Sequence, residues 1–389
     1  MRKKQELVHT PEGVRDSYGP EYQLQLTVTD SIRRTMKSYG FEDLKTPTFE
    51  FFDVFSSQIG TTPSRELYKF FDKEGNTLVL RPDFTPSVAR CTAKYYAEES
   101  RPIRFCYQGS AFSNTSDLQG KLKESTQAGA ELMNDPSVYA DAEMIALLTE
   151  CLQAAGLSRF QITVGNVEYF RGLCEAAGIG EETEEELREY ISGKNYFAAE
   201  DLLRSEEIAP EYRELFLQIT NYRKNDAELQ EVLDRTKNPG ARRALERLIS
   251  LHLLLKEYGV EKFVSYDLSL LSKYHYYTGV IFKGYTYGVG EAIASGGRYD
   301  RLLSHFGKDA AAIGFMIPVD ILLEAMKRQN LLPADLQQSD IVRLTYREDN
   351  YAEVLGKARA LRAQGRCAVM IRETEQDAAS GSAAEEGGV

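Results

Sequence analysis

The chain has 389 residues, 42% hydrophobic and 27% charged, which suits one large core with smaller attached pieces and excludes a disordered or fibrous chain. Its 47 lysines and arginines face 59 acids, a net charge of −12, which argues against a chain whose main work is gripping nucleic-acid phosphates, although a local basic face stays open. No run of about 18 apolar residues occurs, and the basic start Met1-Arg-Lys-Lys4 leads into no apolar segment, so neither a membrane span nor secretion is expected.

Residues 9–16 form a turn-rich entry with Pro11 and Gly13. A helix is predicted over 20–38, because Leu24, Val28, Ile32 and Met36 make one stripe and Gly40 stops it. Phe41 to Pro47 reads as a strand ending at proline. Leu67–Asp72 and Thr77–Arg81 flank the turn Glu74-Gly-Asn76 and make a hairpin. After it a helix runs from Pro86 towards residue 97. Residues 101–113 and 121–133 read as strands joined by a polar loop, and Asp135-Pro136 starts a helix that ends near Gly156. Phe160 to Gly165 is another strand.

Between 167 and 258 the pattern becomes helical and charge-dense, without strand alternation. Strands return at 262–267, 276–282, 285–287 and 292–295. Gly296-Gly-Arg-Tyr-Asp300 reads as a tight turn before a helix. Ala311 to Ile317 is a strand, and Pro318 is expected at the first position of the next helix. The last part supplies a strand over 341–346, a helix over 350–364 and a strand over 367–371; the small, acidic residues after Gln376 read as disordered. The expected fold class is α+β. Its expected division is a core over 1–166 and 259–328, a helical insertion over 167–258, an α/β piece over 340–374 and a tail over 375–389.

The five cysteines (Cys91, Cys106, Cys151, Cys174, Cys367) lack CxxC spacing, and the four histidines form no ligand-like cluster. Reduced thiols in a cytoplasmic protein are expected, with no metal and no cofactor.

Three blocks carry a resemblance. The first is Arg81-Pro-Asp-Phe-Thr85. The second is Arg104-Phe-Cys-Tyr-Gln-Gly-Ser-Ala-Phe-Ser113 with Gln127-Ala-Gly-Ala-Glu131. The third is Tyr276-Tyr-Thr-Gly279 with Gly296-Gly-Arg-Tyr-Asp300. In this order they resemble the class II aminoacyl-tRNA synthetases of the histidyl branch over roughly residues 5–325. The resemblance implies that family's core, an antiparallel sheet flanked by helices. It also implies a dimer interface built by the helix and strand over 20–47.

Carried over residue by residue, the resemblance makes Asp83, Thr85 and Gln127 the groups that take an α-ammonium. It makes Glu131 and Tyr277 the readers of an imidazole, and Tyr299 a further wall. Carboxylates pair with an ammonium, and a carboxylate with a phenol satisfies two ring nitrogens. The alternative for Glu131 and Tyr277 is a satisfied polar core. Asp83 is one methylene shorter than the family's glutamate.

Three of the family's arginines are absent. Ser113 stands at one, Ser272 at the second and Ile321 at the third. Adenylation needs fixed positive charge on developing phosphate oxyanions, and Lys121, Lys123 and Lys273 do not supply a planar fork. No catalytic residues are therefore assigned. Residues 340–372 supply about half of the strands in the family's anticodon-reading domain, so tRNA is not the expected partner.

A synthetase-like chain of this kind resembles the regulatory subunits of ATP phosphoribosyltransferase. That resemblance implies a short-form catalytic subunit as partner, in a hetero-oligomer at the first step of histidine biosynthesis, and histidine as effector. An active histidyl-tRNA synthetase and a synthetase-like regulator of another partner remain as alternatives.

Overall fold

The apolar stripe at 24, 28, 32 and 36 becomes the buried face of helix α1 (Gly19–Ser38). It packs on α3, defined below, and on the central sheet; each such side chain contributes about 1.5–3 kcal/mol when removed from water. The computed structural model describes residues 8–55, 62–115, 122–219, 221, 223–271, 276–331 and 341–373. They fall into two units that divide after Leu331.

In the first unit the chain continues through β1 (Glu42–Asp43), β2 (Phe49–Phe51), β3 (Lys69–Phe71), β4 (Thr77–Leu80) and α2 (Thr85–Tyr95). Then come β5 (Ile103–Phe112), β6 (Glu124–Met133), α3 (Val138–Ala154) and β7 (Phe160–Asn166). Six helices follow: α4 (Val167–Ala176), α5 (Glu181–Ser192), α6 (Tyr196–Ser205), α7 (Pro210–Gln218), α8 (Asp226–Arg235) and α9 (Pro239–Glu257). The unit closes with β8 (Val264–Tyr266), β9 (Val280–Thr286), β10 (Ala294–Arg298), β11 (Ala312–Pro318) and α10 (Val319–Arg328).

Eight strands form the central sheet in the order β1-β5-β6-β11-β10-β9-β7-β8. β1 with β5 and β7 with β8 are parallel pairs, and the other neighbours run antiparallel. The expected α+β core of antiparallel sheet and flanking helices is present. β2, β4 and β3 form a separate three-stranded sheet.

Four expectations change. The strand over 41–47 contracts to β1, because the carbonyls that follow are used elsewhere: Thr46 and Pro47 both accept from the Arg81 guanidinium, at 3.0 and 3.1 Å. The same diversion sends the chain into β2, which pattern alone did not reveal. The strand expected at 276 begins at Val280 and runs unbroken to Thr286, absorbing the piece assigned to 285–287. Gly296 and Gly297 lie inside β10 and not in a turn; the turn comes later, at residues 300–302, ahead of the 3₁₀ segment Leu303–Phe306. Pro318 ends β11 and caps α10, whose first residue is Val319.

A buried ion cluster joins distant parts of this unit. Asp141, in the first turn of α3, is fully buried. It accepts from Arg298 on β10 at 2.7 and 2.9 Å, and from Arg247 on α9 at 2.6 Å. Arg298 also donates to Asp300 and to the carbonyls of Asp135 and Ser137. The arginine of the Gly-Gly-Arg block therefore ties helix to sheet.

The second unit holds β12 (Val342–Tyr346), α11 (Tyr351–Ala363) and β13 (Ala368–Arg372), with the two strands parallel. This is a right-sized βαβ piece whose helix buries Val354 and Ala358. The tail assigned to 375–389 lies outside the described residues.

Candidate functional site

Alternation along β6 sends Gln127 and Glu131 to the same sheet face. Register then sets Glu131 opposite Gly314, and Gly314 opposite Gly297. The two glycines make the floor of a cavity of about 170 Å³. A Cβ on residue 314 would lie 1.5 Å from Glu131 Oε2, and one on residue 297 would lie 2.7 Å from the Tyr277 ring. Only glycine lets the carboxyl and the ring lie flat on these strands.

All six residues assigned to the ligand, Asp83, Thr85, Gln127, Glu131, Tyr277 and Tyr299, line this one cavity. They arrive from the loop after β4, the start of α2, β6, the segment before β9 and the segment after β10. Tyr276 also lines it, with its ring 4.3 Å from that of Tyr277. No lysine or arginine occurs among its described lining residues.

Glu131 is almost fully buried. It accepts from the hydroxyls of Tyr299, of Thr85 at 2.8 Å and of Tyr107 at 3.4 Å. Burial pushes its carboxyl up to about 7, while the hydroxyls of Tyr299 and Thr85 pull it down and the charge of Asp83 adds to the rise. Burial and the neighbouring carboxylate hold the Tyr299 phenol well above its usual range, so it remains a donor. Gln127 is 6% exposed, and its Oε1 has no hydrogen-bond partner among the described residues. A buried carbonyl oxygen left this way is poised for a donor on a bound molecule.

Tyr107 is the site residue that sequence reasoning passed over. It does not line the cavity but reaches it through Glu131, and its ring stacks on Phe84 with centres 4.4 Å apart, while the Arg81 guanidinium lies 4.1 Å over the other face of Phe84. Arg81 is thereby a structural residue: its Nε donates to the Ser110 carbonyl at 2.8 Å. The signal for Tyr107 was available in the period-two pattern of β5, which puts Phe105, Tyr107 and Gly109 on one face.

Ser113 follows β5, half-buried, with its backbone N–H donating to the Lys123 carbonyl at 2.9 Å. Ile321 lies half-buried in α10. Neither lines the cavity. Ser272, with Lys273 and Lys121, lies outside the described residues. Beside Ile321, Asp320 accepts from the Thr126 N–H at 2.6 Å and so fixes α10 against β6 next to Gln127.

Gly314→Ala is expected to remove ligand binding and to destabilise the chain by about 2–3 kcal/mol, since the new methyl must displace a buried carboxyl. Thermal denaturation followed by circular dichroism measures the second effect.

The histidyl-tRNA synthetase family description matches residues 13–322. Among curated relatives, the ATP phosphoribosyltransferase regulatory subunit of Acetivibrio thermocellus is 37% identical over 359 residues, covering 92% of this chain and 85% of the relative. The protein of the same name from Ruminiclostridium cellulolyticum is 39% identical over 321 residues, 82% of this chain and 77% of the relative. The solved structure of an ATP phosphoribosyltransferase regulatory subunit/histidyl-tRNA synthetase from Bacillus halodurans C superposes with a TM-score of 0.87 at 30% identity, covering 97% of this chain and 96% of that one. A glycine-floored, doubly acidic cavity on a synthetase-like sheet and these likenesses converge: the chain belongs to the ATP phosphoribosyltransferase regulatory subunit family, within the histidyl-tRNA synthetase-like proteins.

Proposed function

We propose that this chain is the non-catalytic regulatory subunit of ATP phosphoribosyltransferase, that a short catalytic subunit depends on it for activity, and that it confers histidine feedback on the first step of histidine biosynthesis. The observation that carries the reading is the cavity's charge. Asp83 and Glu131 line it, and no lysine or arginine does among the described residues. Such a site favours an ammonium and an imidazole, and offers nothing fixed and positive to a triphosphate. Ser113 and Ile321, where the synthetase pattern has arginine, support the same reading, as does Ser272 in sequence. The catalytic step then belongs to the partner, and histidine acts by binding two states of the complex unequally.

Reconstitution tests it. The chain added to the short catalytic subunit is expected to raise phosphoribosyl transfer to ATP, and histidine to suppress that gain. The chain alone is expected to give no histidine-dependent ATP–pyrophosphate exchange; exchange would restore the synthetase alternative.

Self-association is a second part of the proposal. Phe49, Phe51 and Phe70 stand on one face of the small sheet, 52%, 56% and 37% exposed, with Leu78 between them. This face follows directly on the α1–β1 region that the synthetase pattern uses for dimers. Phe51→Glu is expected to convert a dimer to a monomer in sedimentation velocity runs. Residues 167–258 are read as an insertion between the two halves of the core, and the cytoplasm as the chain's compartment. No described helix is long and apolar enough to cross a membrane.

A further inference from the structure

A second cavity, of about 780 Å³, lies on the same sheet face. Lys283, in its wall, pairs in register with Ser295 of the small cavity on one side and with Thr163 on the other, and Thr163 pairs with Ser265. The two cavities therefore sit side by side along the sheet, towards the edge strand β8.

Four lysines from four separate chain segments converge there. Lys194 comes from the turn after α5, Lys224 from the segment before α8, Lys262 from the turn before β8, and Lys283 from β9. Two carboxylates share the lining. Asp267 is occupied by the Ser269 N–H at 2.9 Å and the Ser269 hydroxyl, and Glu261 is the other. Among the described residues, Lys194, Lys224 and Lys262 have no carboxylate within ion-pair distance. In a chain of net charge −12 acids are plentiful, yet these three lysines line one cavity with no described carboxylate paired to them, the Lys262 ammonium lying 5.2 Å over the Phe263 ring. Like charges so arranged repel unless an anion sits between them.

The rest of the lining narrows the class. Tyr285, 38% exposed, presents a ring, and Ile191 and Leu271 add apolar wall. The volume is in the range that encloses a nucleotide. We infer that this cavity binds a nucleoside polyphosphate, its phosphate chain among Lys194, Lys224, Lys262 and Lys283 and its base against Tyr285. Such a ligand would draw the helical segment, through Lys194 and Lys224, onto the sheet. The inference does not depend on what the small cavity binds.

Isothermal calorimetry on the full chain, with ATP and inorganic tripolyphosphate as probes, tests it. Saturable binding of both is expected below about 1 mM, weakening as salt rises. The double variant Lys224→Ala, Lys262→Ala is expected to lose at least about tenfold in affinity for both. Both lysines are exposed, so folding is not at stake; Lys94→Ala, on the outer face of α2, is expected to change nothing. Tyr285→Ala is expected to weaken ATP and leave tripolyphosphate unaffected. No saturable binding of either probe overturns the site, and so does binding that ignores the double substitution. Equal affinity for the two probes overturns the nucleoside assignment. Retention of a single-stranded RNA without ATP binding replaces it with a polymer surface.

Discussion

Glu131→Ala is expected to lower histidine affinity at least about 100-fold, in the isolated chain and in its complex with the catalytic subunit. Truncating one side of a buried, hydrogen-bonded charge pair costs roughly 2–5 kcal/mol, and roughly 2.7 kcal/mol is a factor of 100. The substitution also strips the shared acceptor from Thr85, Tyr107 and Tyr299. Those hydroxyls would turn into the cavity and present donors where an imidazole N–H would otherwise meet an acceptor. Calorimetric titration with histidine measures the loss. Unchanged affinity in the complex would move the sensor to the subunit interface and leave this cavity as a polar core.

The same residue sets a pH dependence whose sign is fixed. Burial lifts Glu131 from 4.5 to about 7, so between those values the native chain holds a proton that the unfolded chain has released. The contribution to stability is present in full below pH 4.5 and is lost as pH rises through 7. Its scale is on the order of 3 kcal/mol. Ligand binding runs the other way: the carboxylate is the better imidazole acceptor, so histidine affinity is expected to climb from pH 6 to 8, with proton release on binding. Glu131→Gln removes the titrating group, and its binding curve is expected to be flat apart from the ligand's own ionisation.

Local pattern revealed the long elements and failed where distant groups intervene. The α1 stripe and the run of helices from Val167 to Glu257 follow from 3.6-residue periodicity. β1 is shorter than its pattern predicts because the Arg81 guanidinium, 34 and 35 residues away, takes the carbonyls that would have extended it. Gly296-Gly297 reads as a turn in sequence because glycine usually marks one. Here glycine marks a strand pressed under the Tyr277 ring, a tertiary fact with no local trace. The six cavity residues span positions 83 to 299, and their gathering was legible through family resemblance. Tyr107 has no such tag: the period-two pattern of β5 marks its face, and the strand register then brings that face to Glu131.

Asp141 had no signal in sequence at all, and its loss is expected to cost more stability than any other single change discussed. Asp141→Ala is expected to destabilise the chain by about 3–5 kcal/mol, the usual penalty for stranding a buried charge. The group left short is Arg298, only 3% exposed, which keeps the part-exposed Asp300 as its remaining carboxylate at 3.0 Å, whereas the side chain of Arg247 is 28% exposed and can turn to water. Urea unfolding is expected to show a lower midpoint with an unchanged slope. The pair Asp141→Leu with Arg298→Met separates the cause. If the penalty comes from an uncompensated charge, the apolar pair regains at least half of it. Recovery stays incomplete, because the carbonyls of Asp135 and Ser137 lose the donors that Arg298 gave them. If the double variant is no more stable than Asp141→Ala, the loss comes from those carbonyls and the severed tie between α3 and β10, and the ion pair itself contributes little.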